Sequence, residues 1–217
     1  MASPSYQLKP FDAQHTPPVR ELAELHAALL PGSPIARLGE QFMQRVYYQR
    51  LPRTGLIFGA VAYVDHHPAG FIVATRNPAG FMREALRQWW PLVAWVVGTS
   101  ILRSPKLLGT VWEVLRVMAA KQQHQRTEAQ GELLSLGVLE AYRSPRFVRE
   151  SGLRISADLV EGAVAQLRER GAQTIRATVS ADNTPTKFFY SGLGWTLDQA
   201  DTATGWRSPT VDFILRT

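Results

Sequence analysis

The sequence predicts an α/β fold with a mixed central sheet, and three stretches of it carry that prediction. Residues 5–75 read strand, helix, helix, strand, strand. Residues 132–179 read strand, crossover helix, strand, the order of a right-handed unit with two parallel strands. A short helix and a last strand then close the chain.

At 217 residues, with 45% apolar and 19% charged residues, the chain has the length and composition of one globular domain, 1–217, with room for an elaboration. Residues 5–9 form the first strand candidate. A helix is predicted over 19–30, with Leu22, Leu25, His26 and Leu29 on one face and Pro31-Gly32 as its stop. A second is predicted from Ile35 to about Leu51, ended by Pro52. Residues 55–64 and 69–75 are short apolar runs on either side of Asp65-His66-His67-Pro68, which is a strand, tight turn, strand signal.

Residues 78–126 break this rhythm. They are helical in pattern, with interruptions at Pro91, Gly98 and Pro105, and carry Trp89, Trp90, Trp95 and Trp112. Seven Lys/Arg stand against two Asp/Glu there, so this insertion supplies most of the net charge of +6. Its fourteen-residue run Trp89 to Leu102 is too short for a membrane span, which needs about twenty residues. Tryptophans with basic flanks suit a cover over a substrate, a homodimer contact, or an interfacial helix on a membrane surface through 81–106. No nucleic-acid motif accompanies the charge, so no nucleic-acid partner is expected.

Further on, 132–139 is a strand candidate and 155–170 an amphipathic helix with Ile155, Leu159, Ala163, Val164 and Leu167 in register, stopped by Gly171. Ile175, Ala177 and Val179 alternate with polar neighbours as in a half-buried strand. A short helix with Thr184 as its cap and Pro185 in its first turn ends at Ser191-Gly192, and 210–215 is the last strand. The chain has no cysteine, which removes disulfides, thiolate nucleophiles and Cys-ligated zinc and fits a reducing compartment. Its first residues lack the pattern of a secretory signal, so the expected location is cytoplasmic. The histidines are scattered without metal-ligand spacing, and no metal is expected.

This order, with the runs ELLSLGVLEAYR (132–143), SGLRISADLVEGAV (151–164) and ADNTPTKFFYSGLGW (181–195), resembles the GNAT superfamily of acyltransferases, bacterial members with a helical insertion between the third and fourth strands included. Asn183, Tyr190, Gly194 and Trp195 stand in the family's closing pattern of Asn followed by Tyr-x-x-x-Gly-Phe. The resemblance implies the acyl-CoA N-acyltransferase fold and an acetyl or other acyl group moved from a CoA thioester to an amine, on a small molecule or a peptide. It places the pantetheine arm along Leu136, Gly137 and Val138. It makes Tyr190 the proton donor to the leaving thiolate, with ring packing as the alternative for that side chain. Glu132 is the residue expected to take the amine proton, directly or through water, with an exposed strand-end carboxylate as its alternative.

The pyrophosphate needs backbone N–H groups at a helix start, where the macrodipole also favours negative charge, and the loop before Ile155 is in that place. Here the sequence departs from the family pattern. Ser151, Arg154 and Ser156 stand where the family has an Arg or Gln and two glycines, and SPRFVRES (144–151) is an eight-residue insertion. Arg154 then either obstructs the close approach that glycine permits or joins Arg143, Arg146 and Arg149 in holding CoA phosphates; a solvated basic loop is the third reading. Gly152 is available for a tight turn, and Ser151, Gly152, Leu153, Arg154, Ile155, Ser156 and Asn183 complete the expected donor site. A catalytically weakened acyl-CoA-binding module and a membrane-surface acyltransferase are the rival functions.

Overall fold

The computed structural model describes residues 4–103, 109, 129–204 and 209–216. Strand β1 (Tyr6–Phe11) is followed by helix α1 (Val19–Leu29), short helices α2 (Pro34–Arg37) and α3 (Glu40–Phe42), and a π-helical turn at Met43–Tyr48. Strands β2 (Phe58–Val64) and β3 (His67–Thr75) lead to helix α4 (Phe81–Arg103) and strand β4 (Gly131–Val138). Helices α5 (Glu140–Arg143), α6 (Pro145–Ser151) and α7 (Ile155–Glu169) precede β5 (Thr174–Ser180), α8 (Thr184–Gly192), β6 (Thr196–Thr204) and β7 (Pro209–Arg216).

One seven-stranded sheet runs in the order β1-β2-β3-β4-β5-β7-β6. Among the described residues only the β4–β5 pair is parallel, so the sheet is mixed as expected. Alternation along β2 and β3 divides the core into two layers. Phe58, Ala60, Ala62, Ile72 and Ala74 pack with Leu159, Val160, Ala163 and Leu167 of α7. Val61, Tyr63, Phe71 and Val73 pack with Leu22, Leu25 and the aromatic π-turn on the other face. Both faces of these central strands are covered, so β2 is buried throughout and reads as an unbroken apolar run.

Three departures from the sequence reading have local causes. The helix predicted over 35–51 is broken, because Gly39 adopts φ +93° between α2 and α3. The β2–β3 turn is carried by Asp65 and His66, both at positive φ, which is the backbone a two-residue hairpin with right-handed strand twist requires. Helix α4 kinks at Trp89 (φ −120°, ψ 19°), two residues before Pro91, whose ring cannot follow a preceding helical turn. Gly98 does not interrupt this helix, whereas Pro105, Lys106 and Trp112 lie outside the described residues.

Trp90 and Trp95 of α4 are exposed, and the Arg45 guanidinium lies over the Trp95 ring at 5.2 Å. Among the described residues no helix is long and apolar enough to cross a membrane.

Candidate functional site

The central feature follows from how β4 leaves its neighbours. On the β3 side, Leu133 pairs with Ala74 and Ser135 with Val73, so Leu134 is one residue too many and forms a bulge. On the β5 side, pairing covers only Gly131, Glu132 and Leu133 against Ile175, Arg176 and Ala177. The two strands part at the bulge. Beyond it, among the described residues, no strand pairs with the edge of β4 that faces β5 over 134–138.

The gap is a cleft of about 620 Å³. Its walls include Ser135, Leu136, Gly137 and Val138 of β4, Thr178 to Ser180 of β5, Asn183 and Tyr190 of α8, and Leu29, Leu30 and Ser33 at the end of α1. The bulge is at Leu134, and Gly137 serves a close approach: a Cβ there would lie 2.9 Å from Leu29 Cδ1 and 3.1 Å from the Phe71 ring.

A second depression of about 370 Å³ lies between α6, the start of α7 and α8, and shares Arg143, Ser156 and Phe189 with the first. Together they pass the N-terminus of α7, which no side chain caps. The first-turn N–H groups of Ile155, Ser156 and Ala157 precede the first intrahelical bond, which Asp158 N–H makes to Arg154 C=O, so this end favours an anion.

The eight-residue insertion is a helix and not an open loop. Ser144 caps α6 by accepting the Phe147 N–H at 3.2 Å, Pro145 sits in the first turn, and Gly152 ends the helix at φ +73°. The pair Ser144-Pro145 is the sequence signal that marks this start. Ser151 Oγ donates to Phe147 C=O and accepts the Leu153 N–H, which fixes the exit of α6. Arg149 is exposed on α6. Arg154 has a side chain 64% exposed and lies 3.7 Å from Glu161, two turns along α7. It lines the smaller depression and not the larger cleft, whereas Arg143 lines both.

Asn183, rather than Thr184, caps α8: its Oδ1 accepts the Thr186 N–H at 3.2 Å. Asn183→Ala is expected to cost about 1 kcal/mol, read as a lower urea midpoint with an unchanged slope.

Tyr190 projects from α8 into a ring cluster, stacked on Phe213 at 5.7 Å and edge-on to Phe189 and Trp195. It is buried, and that burial pushes its phenol well above the ordinary value, so it stays protonated. Packing and cleft lining are both true of this side chain.

Glu132, expected to take the amine proton with an exposed strand-end carboxylate as the alternative, is buried away from the cleft wall. It is 2% exposed, its Oε2 accepts from Arg176 Nη2 at 2.9 Å, and it does not line the cleft. Arg176 also lies 3.8 Å from Asp212, which accepts the Thr178 hydroxyl at 2.7 Å. Tyr47 is buried, which pushes its phenol up, and the Glu132 charge acts on it in the same direction. The sequence reading did not single out Arg176, Thr178, Ser33 or Tyr47 for a site; of these, Ser33-Pro34 carries a cap signal. Among the described residues no His, Asp, Glu or Cys group is arranged to hold a metal.

No family model matches this sequence, and no curated protein matches it. Solved structures match it over nearly their whole length at low identity. An apo agmatine N-acetyltransferase variant is 16% identical at a TM-score of 0.57, covering 98% of this chain and 100% of its own. A chain of the NatC complex solved with Gag peptide and CoA is 16% identical at 0.56, with 98% and 99% covered. A Desulfovibrio desulfuricans protein assigned to the GNAT acetyltransferases is 14% identical at 0.55, again with 98% and 99% covered.

Proposed function

The chain has the GNAT acetyltransferase fold, and from that premise we propose that it is a CoA-dependent N-acyltransferase that moves an acetyl or other acyl group to an amine. The observation that carries this reading is the parting of β4 and β5 after three paired residues, which opens a cleft beside an uncapped helix start.

The free edge of Leu136, Gly137 and Val138 pairs with the amide groups of the pantetheine arm. The start of α7 and the Arg143 guanidinium receive the pyrophosphate; Arg154 and Arg149, both exposed, lie on the outer side where the nucleotide end emerges. The thioester then sits between Val138, whose N–H stabilises charge developing on the carbonyl oxygen, and Tyr190, whose phenol protonates the departing sulfur. The amine attacks the thioester directly, since the chain has no cysteine to carry an acyl group. Holding donor and acceptor in one cleft supplies most of the rate. The agmatine and NatC neighbours accord with a small-molecule or peptide amine as acceptor. The part of α4 that exposes Trp90 and Trp95 is proposed as a cover or contact surface, and the absence of cysteine accords with a cytoplasmic location.

Titration calorimetry with acetyl-CoA, read beside native mass spectrometry of the purified protein, tests the donor. One acyl-CoA per chain is the expected stoichiometry. Absence of heat together with an unliganded native mass would remove the acyltransferase reading.

A further inference from the structure

The mechanism above leaves one proton without a destination, the one the attacking amine must lose. Glu132 is committed to Arg176 and lies off the cleft. A different set of groups meets the cleft wall on the α1 side.

Ser33 lines the cleft immediately after α1. Its Oγ is 2.8 Å from His26 Nε2, and His26 Nδ1 is 2.6 Å from the Tyr48 hydroxyl. His26 is fully buried, its ring 5.4 Å from Phe71 of β3 and edge-on to Tyr47 and Tyr48 of the π-turn. Ser33 Oγ already accepts the Ala36 N–H at 3.1 Å as the cap of α2, which leaves its own proton free for an acceptor. A neutral imidazole with Nδ1–H donating to Tyr48 keeps the Nε2 lone pair for that proton. Burial pushes His26 down to about 4, so it is neutral near pH 7. The titratable groups in ring contact with it are Tyr47 and Tyr48, both pushed up by burial and so protonated, and the Glu132 charge acts on Tyr47.

We propose that Ser33, backed by His26 and Tyr48, is the proton acceptor for the attacking amine in the acyl transfer proposed above. The amine nitrogen forms its bond to the acyl carbon as the carbon–sulfur bond breaks. The nitrogen proton passes to Ser33 Oγ while the Ser33 hydroxyl proton moves to His26 Nε2, and the sulfur takes the Tyr190 proton. His26 holds the extra proton only in passing, since burial disfavours its charged form, and hands it back through Ser33 Oγ to water in the cleft, while Tyr190 regains its own proton from water as products leave. Ser33 touches the reacting atoms, whereas His26 acts through it.

The test uses the full chain, acetyl-CoA and hydroxylamine, a small and strong nucleophile, with CoA release measured without protein subtracted. Ser33→Ala is expected to lower kcat for CoA release about tenfold, since water replaces a lost hydroxyl only in part, with acetyl-CoA affinity unchanged; Ser33→Thr restores most of it. Equal kcat in Ser33→Ala overturns the relay and leaves the acyltransferase reading standing. A separate ¹⁵N spectrum of the imidazoles decides the relay without any turnover. Nδ1–H with a bare Nε2 at His26 supports it, and a proton on Nε2 overturns it. Failure of acetyl-CoA to bind the unaltered protein, by contrast, counts against the function itself.

Discussion

Tyr190→Phe is expected to lower kcat about 10²-fold while leaving acetyl-CoA affinity within twofold of the unaltered protein, a figure at the low end of the range for a general acid. Phenylalanine keeps the ring that stacks on Phe213 and meets Phe189 and Trp195, so the packing of α8 on the sheet survives and the donor still binds. What is lost is one hydroxyl proton at the cleft. The burial that keeps the phenol protonated also makes it a weaker acid, which limits the proton-transfer gain and places the effect near 10² and not 10⁴. Stopped-flow detection of free CoA with parallel calorimetry separates the two parameters. Unchanged turnover would reduce Tyr190 to a packing residue.

The second large effect is on stability. Arg176→Met is expected to destabilise the protein by about 3–5 kcal/mol, because it leaves the Glu132 carboxylate buried without the cation 2.9 Å away. Both side chains are nearly inaccessible, 4% and 2% exposed, so water cannot replace the lost partner. The double variant Arg176→Met with Glu132→Leu removes both charges and is expected to recover most of the loss, since an apolar pair of similar volume avoids the desolvation of two ions. Urea unfolding of the single and double variants measures this. A single variant within 1 kcal/mol of the parent would show that the pair contributes little to holding β4 and β5 together.

The strand and helix order was legible wherever one face of an element is apolar. Leu22, Leu25 and His26 announced α1, and Ile155, Leu159 and Leu167 announced α7, because burial on a single side imposes a period that the sequence must show. Strand β6 was missed for the opposite reason: TLDQADTAT has Leu197 as its one large apolar residue, and its pairing with β7 rests on backbone groups. The break at Gly39 and the bulge at Leu134 are backbone events, which residue type hints at only weakly.

For the candidate site, the proposed donor side was readable from local motifs, since Asn183, Tyr190 and the start of α7 lie within one stretch of chain. The proposed acceptor side was not. His26, Ser33 and Tyr48 come together from α1, the turn after it and the π-helical segment, and their meeting depends on how α1 packs over Gly137 and Phe71.

The short β4–β5 joint has a mechanical consequence. A ladder of three residue pairs, with the Gln130 N–H to Thr174 C=O bond and the Arg176–Glu132 ion pair beside it, joins a four-stranded block to a three-stranded one within this sheet, a short seam on which local opening is expected to concentrate. A molecule lodged between the blocks splices them, and its binding energy adds to the cohesion of the whole domain by mass action. Amide protons on either side of that seam should therefore exchange more slowly as acetyl-CoA is added, and those of β1 and β2, far from it, should change least.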